Sequence, residues 1–156
     1  MHLPPLYRRN QPGCFLILAL LLFAGNSSAQ QLLDEKRVIF LAETPVMVGW
    51  HRDSSYQRFT PTPKEIDSTD VVLLRYLQGT IKKDDSSSLL SDYYRQYVGL
   101  LLKGRKYIYI NASCNKPGYF LQSTHYPKGG GQCYFQTVVD PWISRRVETF
   151  YFNAPK

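Results

Sequence analysis

The chain has 156 residues, a formal net charge of +7 and an apolar content of 44%. This length fits one domain with a modest hydrophobic core. The basic residues are scattered and lie beside acids, as at Lys82–Lys83 followed by Asp84–Asp85, whereas a nucleic-acid-binding protein shows a clustered basic stripe. The composition therefore predicts no nucleic acid partner, and the excess charge fits a solvated basic surface.

Residues 1–29 have the pattern of a secretory signal peptide. Arg8 and Arg9 precede the 11-residue apolar run Cys14–Ala24, and small residues then lead to a cleavage site after Ala29. The run is shorter than the roughly 20 residues that a membrane-spanning helix needs, so an uncleaved anchor is the weaker alternative. We therefore expect an exported protein, either periplasmic or secreted.

Residues 30–156 are then expected to form a single domain without a stable membrane span, because no second apolar stretch approaches membrane length. Two cysteines remain in this part, Cys114 and Cys133, and two cysteines in an exported chain predict one disulfide. Two free buried thiols are the alternative. No Cys/His spacing typical of a metal site occurs in the sequence, so we assign no metal or cofactor.

The first structural elements are an arm and a helix. Residues 30–60 predict a partly irregular arm with β-prone stretches. The clearest helix is predicted at residues 63–78, where Thr62 and Glu65 form a capping box and a proline takes the first helical position. Its apolar face is predicted to contain Ile66, Thr69, Leu73, Tyr76 and Leu77, with Val72 beside it.

The second half of the domain has the alternating pattern of strands. Leu89–Tyr97 shows a weak helical spacing, with extended structure as the alternative. Val98–Leu102 and Lys106–Asn111 predict a hairpin around a glycine, and Gln132–Asp140 and Val147–Phe152 predict two more strands. The predicted fold is therefore α+β, with an N-terminal amphipathic helix packed on a curved, mostly antiparallel sheet of about four strands and one disulfide.

Three short segments follow the predicted helix in a fixed order. They are R-Q-Y-x-G at Arg95–Gly99, I-N-A-x-C at Ile110–Cys114 and G-G-x-C-[YF]-F at Gly130–Phe135. Together they resemble the pattern of a group of uncharacterised small exported bacterial proteins, and the similarity extends over residues 60–153. A third glycine and a Pro- and Tyr-rich stretch at 117–127 depart from that pattern. The resemblance implies a bacterial exported protein and assigns no catalytic residue.

An arginine beside several tyrosines is the main candidate for recognition. A guanidinium binds carboxylates in a fork, and tyrosine rings stack on sugars and are common in protein interfaces. Strand alternation allows the alternative that half of the tyrosines face the core and that the arginine orders the hairpin. The candidate residues for ligand or partner binding are Tyr94, Arg95, Tyr97, Tyr109, His125 and Tyr126.

Three classes of function remain open from the sequence. The preferred one is a non-enzymatic module that binds an unknown protein or small-molecule partner through the tyrosine-rich sheet or the 113–131 loop. The second is a small hydrolase or other enzyme with a site assembled from distant residues such as Arg95, His125 and Asp140. The third is a structural protein of the cell envelope. No G-x-S-x-G elbow occurs in the sequence, and no catalytic residue is assigned.

Overall fold

The computed structural model of the protein describes residues 30–49, 56–80, 90–124 and 131–153. These ranges contain seven strands and one helix, and all seven strands belong to one sheet. In chain order the elements are β1 (Gln30–Asp34), β2 (Arg37–Phe40), β3 (Gln57–Phe59), α1 (Pro63–Thr80), β4 (Tyr94–Leu102), β5 (Arg105–Ser113), β6 (Gly131–Asp140) and β7 (Arg146–Asn153).

The sheet has the spatial order β1-β2-β4-β5-β6-β7. Strand β3 also pairs with β4, at the edge where β2 pairs, and lies next after β2 along that edge. Strand β2 pairs in parallel with residues 95–98, and β3 pairs antiparallel with residues 99–101. The remaining neighbours are antiparallel. Two short strands from the first part of the chain therefore complete the edge of the long central strand β4.

The predicted fold class is wrong. The described part of the chain is mostly sheet, with seven strands where about four were expected, and the helix in it follows three strands and is not N-terminal. Strand β2 contributes most to the error, because Val38, Ile39 and Phe40 are all fully buried and do not alternate with polar residues. A strand buried on both faces has no period of two, and the three-residue β3 is too short to show one.

The helix itself was correctly located. It begins at Pro63 and ends at Thr80, close to the predicted range 63–78. The capping box is present, since the Thr62 N–H donates to Glu65 Oε2 at 2.8 Å and the Glu65 N–H donates to Thr62 Oγ1 at 3.3 Å. The buried helix residues are Ile66, Thr69, Val72, Leu73 and Leu77.

The β4–β5 hairpin is also confirmed. Lys103 and Gly104 form its turn with φ angles of 48° and 78°, and positive φ at both central positions is typical of a tight hairpin turn. The weak helical spacing at Leu89–Tyr97 does not produce a helix in the described part, because the chain is extended from Tyr94 onward. Predicted strands 132–140 and 147–152 are present as β6 and β7.

The sheet has an apolar cluster on each face. Helix α1 covers the first face, which we call the helix face, and its cluster is formed by Ile39, Ile66, Val72, Leu73, Leu77, Leu90, Tyr97, Ile108, Ile110, Ala112, Phe135 and Val139. The cluster on the opposite face is formed by Val38, Phe40, Val48, Val98, Leu100, Tyr109, Phe120 and Val138. Since Val48 and Phe120 come from loops, it is loops that cover this second face.

Candidate functional site

Two loops, 41–49 and 114–124, cover the face of the sheet opposite the helix, and we call them the loop layer. Val48 of the first loop and Phe120 of the second are buried against this face. The two loops are joined to each other, because the Thr124 hydroxyl donates a hydrogen bond to the Met47 carbonyl oxygen. The loop layer therefore behaves as one packed surface with its own apolar anchors.

A buried glutamine attaches the second loop to the central strand. The Gln96 side-chain amide lies on β4 and donates to the carbonyl oxygens of Phe120 at 2.8 Å and Ser123 at 2.7 Å. Gln96 is almost fully buried, so each of these bonds satisfies a group that water cannot reach. The backbone of the loop is thus part of the buried hydrogen bonding of the sheet.

The glutamine belongs to a polar network across three strands. Gln96, Asn111 and Gln136 lie directly opposite one another on β4, β5 and β6. Asn111 Nδ2 donates to Gln96 Oε1 at 2.7 Å, and Asn111 Oδ1 accepts from the Tyr134 hydroxyl. Gln136 Nε2 donates to the Tyr134 hydroxyl oxygen at 2.6 Å. A buried network of this kind rigidifies a structure when its members are satisfied.

The predicted disulfide is present and fixes the base of the second loop. Cys114 follows β5 and Cys133 lies in β6, with their Cα atoms 5.0 Å apart. The Cys114 N–H also donates to the Cys133 carbonyl oxygen at 2.9 Å. In the chain-entropy account, closing a loop of this length contributes about 3 kcal/mol to stability.

The first loop is held by an arginine. The Arg58 guanidinium, from β3, donates to the Leu41 carbonyl oxygen at 2.9 Å and also to the Thr44 carbonyl oxygen. Burial lowers the pKa of Arg58 from its usual value. The Thr44 N–H donates to the Leu41 carbonyl oxygen at 3.0 Å, which closes a turn inside the loop. Side chains of β3 and β4 therefore hold the backbone of both loops.

Apolar side chains project outward from this fixed layer. Met47 is 72% exposed, Tyr119 41% and Leu121 38%. The bond from Thr124 to Met47 brings the two loops together, and apolar residues exposed on neighbouring segments can form an interaction site. The loop layer thus combines buried anchors with an outward apolar surface, which is the arrangement of a preorganised recognition surface.

Arg95, the central candidate from the sequence, binds a carboxylate of the protein itself. It is buried, and its Nη1 donates to Asp70 Oδ2 of the helix at 2.8 Å. The Tyr97 hydroxyl donates to Asp70 Oδ1 at 2.8 Å, and Arg37 Nη1 lies 3.4 Å from Asp70 Oδ2. Burial raises the pKa of Asp70 and, more strongly, that of Tyr97. The cluster joins the helix to the sheet.

The other candidates are distributed differently. Tyr97 and Tyr109 are fully buried, on the helix face and the opposite face respectively. Tyr94 is half-buried and packs edge-on against Phe120, with ring centroids 5.6 Å apart. His125 and Tyr126 lie outside the described residues. The structure therefore brings Arg95 and Tyr97 together, but places Tyr109 on the other side of the sheet.

Asp140 is separated from Arg95 by the length of the sheet. Arg95 is level with Phe135 across the strands, and Asp140 lies about 17 Å further along β6 at the usual rise per residue. Burial would raise the pKa of Asp140, but N–H donors from Ile143, Ser144 and Trp142 lower it to about 2. The carboxylate thus stabilises the β6–β7 turn and is not positioned for catalysis with Arg95.

The described ranges contain no group of three or more His, Cys, Asp and Glu side chains arranged to hold a metal ion. Among the same residues, no helix has the length and hydropathy needed to span a bilayer. Comparison with protein-family models, with curated proteins and with solved structures finds no match to this chain.

The alternation of residues along the strands could have predicted part of the site. The polar residues Gln96, Asn111 and Gln136 share the face of Tyr109 and Tyr134, and a period of two along each strand would have placed them together. Their partners in the loops could not be inferred in this way, because loop backbone atoms leave no periodic signal. The exposed residue Met47 lies in a β-prone stretch of the predicted arm, but it belongs to a loop in the structure.

Proposed function

We propose that the chain is an exported, non-enzymatic binding domain that recognises a protein partner through the outward surface of the loop layer. The observation that carries the proposal is the exposure of Met47 and Leu121 on loops whose own backbone is fixed by buried groups. Fixed loops lose little conformational entropy on binding. More of the free energy of their contacts therefore remains as binding affinity.

The distribution of chemically reactive groups supports binding over catalysis. Arg95 and Asp70 form an ion pair with each other at 2.8 Å, and Asp140 accepts several hydrogen bonds from its own turn. A catalytic site needs titratable groups that converge on a cleft with altered pKa values. Arg95 and Asp140, two of the residues suggested for an enzyme, lie at opposite ends of the sheet, so these two residues do not share a site.

Export is part of the same proposal. Its support is the signal-like composition of residues 1–29, the Cys114–Cys133 disulfide and the resemblance to small exported bacterial proteins. The intact mass of the protein recovered from its cell tests it. A product that begins near Gln30 and takes up two alkyl groups only after reduction would support export, whereas a full-length chain with free thiols would contradict it.

Binding is tested by site-specific photo-cross-linking in the cell that makes the protein. A photoreactive amino acid is placed at Met47 or Leu121, and at Leu32 or Val71 as matched control positions. The controls are similarly exposed apolar residues on β1 and on the helix. We expect a discrete adduct from the two loop positions and none from the controls.

Formation of the cross-linked adduct should also require the apolar side chains of the loop layer. The double variant Met47→Ser with Leu121→Ser should compete poorly with the photoreactive chain for its partner, while Leu32→Ser with Val71→Ser should compete like the wild type. Equal adducts from all four positions would indicate random collisions, and would contradict a recognition surface on the loop layer.

A further inference from the structure

Two hairpin turns lie side by side at the end of the sheet away from the disulfide. Arg105 Nη2 of the β4–β5 hairpin lies 2.9 Å from Asp140 Oδ2 of the β6–β7 turn. Lys106 Nζ lies 5.7 Å from the centroid of the Trp142 ring. Together the turns present a surface that we call the basic tip, formed by Lys103, Arg105, Lys106, Trp142, Ile143, Arg145 and Arg146.

Positive charge faces outward at the basic tip. Lys103 and Arg145 are exposed, and each lies in the turn of its hairpin with a φ of 48°. The other three cations pair with acids that lie deeper. The exposed fractions of the cation and the acid are 46% and 1% for Arg105–Asp140, 51% and 21% for Lys106–Glu65, and 69% and 20% for Arg146–Glu148.

An exposed apolar side chain lies in the same turn as Arg145. Ile143 is 71% exposed although its backbone is fixed. Asp140 Oδ1 accepts from the N–H groups of Trp142 at 3.0 Å and Ile143 at 2.9 Å, and Asp140 Oδ2 accepts from the Ser144 N–H at 3.1 Å. The turn therefore holds Ile143 outward and does not leave it free to fold back.

We propose that the basic tip docks the domain peripherally on an anionic phospholipid bilayer. The cations would lie at the lipid phosphates, and Ile143 would enter the boundary between headgroups and acyl chains, as apolar residues flanked by Lys and Arg do in interfacial proteins. A dissolved polyanion would use the cations but would give the exposed isoleucine no apolar environment. The tip lies at the opposite end of the sheet from the disulfide at the base of the second loop, so a docked domain could still present that loop to a partner.

The test is binding of the protein, recovered from an exporting host, to vesicles of phosphatidylcholine with and without phosphatidylglycerol. We expect binding only to the anionic vesicles, weakened by added salt. The variant Lys103→Gln with Arg145→Gln should bind about 20- to 30-fold more weakly, because each basic residue near an anionic surface contributes roughly fivefold. The control Arg75→Gln with Lys116→Gln removes the same charge from exposed positions outside the tip and should bind like the wild type.

Ile143→Ser distinguishes a bilayer from a soluble polyanion. It should weaken binding to anionic vesicles without changing the charge, while an unaltered vesicle affinity would overturn the insertion of Ile143. Absence of binding to anionic vesicles, or equal losses in the two charge variants, would overturn the proposal as a whole. The loop-layer variant Met47→Ser with Leu121→Ser should keep full vesicle binding, so this proposal and the proposed partner binding fail independently.

Discussion

The side-chain amide of Gln96 donates to the main-chain carbonyl oxygen of Phe120, at 2.8 Å, across the interior of the protein. The bond joins the central strand to a loop 24 residues later in the chain. Phe120 in turn places its ring in the apolar cluster beneath the loop layer. One buried side chain thus fixes both the position of the loop and the residues that the loop presents.

Replacement of Gln96 by Leu should therefore loosen the loop layer. The variant has a similar volume but leaves the carbonyl oxygens of Phe120 and Ser123 and the amide of Asn111 without their donor or acceptor. We expect a loss of about 3 kcal/mol or more in the free energy of unfolding, since three groups lose a partner and each buried unsatisfied group costs roughly 1–3 kcal/mol. Urea denaturation measures this, and faster amide exchange of 117–124 should accompany it. An unchanged stability would show that the network does not hold the loop.

The disulfide should contribute to stability to a similar extent. Exchanging both Cys114 and Cys133 for Ser should lower the free energy of unfolding by about 3 kcal/mol, because the unfolded chain regains the freedom of the open loop. Thermal and urea denaturation with and without reductant provide the measurement. The wild type should respond to reductant and the double variant should not. A wild type that is insensitive to reductant would contradict a stabilising disulfide.

Gly99 of the R-Q-Y-x-G segment has a packing reason to be glycine. A Cβ at this position would lie 2.3 Å from the Phe59 carbonyl oxygen and 3.0 Å from the Phe59 ring. Gly99→Ala should therefore displace β3 from β4 and cost about 2 kcal/mol, in the range of overpacking substitutions. Gly118→Ala is the matched control, because a Cβ there meets nothing within 4 Å. Similar stabilities for the two variants would argue against close packing of Phe59 on Gly99.

The stability contributed by Asp140 should depend on pH in a defined direction. Its pKa falls from 3.8 to about 2 in the folded protein, so the carboxylate stabilises the fold above pH 3.8 and this contribution is lost as the pH falls through 2. Relative to Asp140→Asn, the wild type should lose about 2 kcal/mol over that interval. Urea denaturation of both proteins between pH 7 and pH 2 is the measurement. A stability difference that does not vary with pH would contradict the lowered pKa.

The sequence predicted the local elements better than the sheet as a whole. Helix α1 has a cap and a regular apolar face, and the β4–β5 hairpin has a glycine turn between alternating strands, so both could be located. Strand β2 pairs in parallel with a strand more than 50 residues away, and its apolar residues are buried on both faces. Neither property leaves a periodic signal, which is why the strand count and the fold class were wrong.

The candidate site was predicted only in part. Arg95 and the tyrosines were selected for their chemistry, yet Asp70 and the core surround Arg95 and Tyr97 in the folded chain. The loop layer depends on contacts between distant segments, such as the bond from Thr124 to Met47. The basic tip likewise combines charges from turns about 40 residues apart, which look scattered along the sequence. Such sets become visible only when the strand pairing is known.

The most direct test of partner recognition is the affinity of the oxidised protein for the partner obtained by cross-linking, measured by titration calorimetry. The variant Met47→Ser with Leu121→Ser should bind about tenfold more weakly or worse, since the few residues that dominate an interface each cost more than about 1 kcal/mol when truncated. The control Leu32→Ser with Val71→Ser and the tip variant Lys103→Gln with Arg145→Gln should bind like the wild type. Equal affinities for the loop-layer variant and the wild type would contradict a recognition surface on the loop layer.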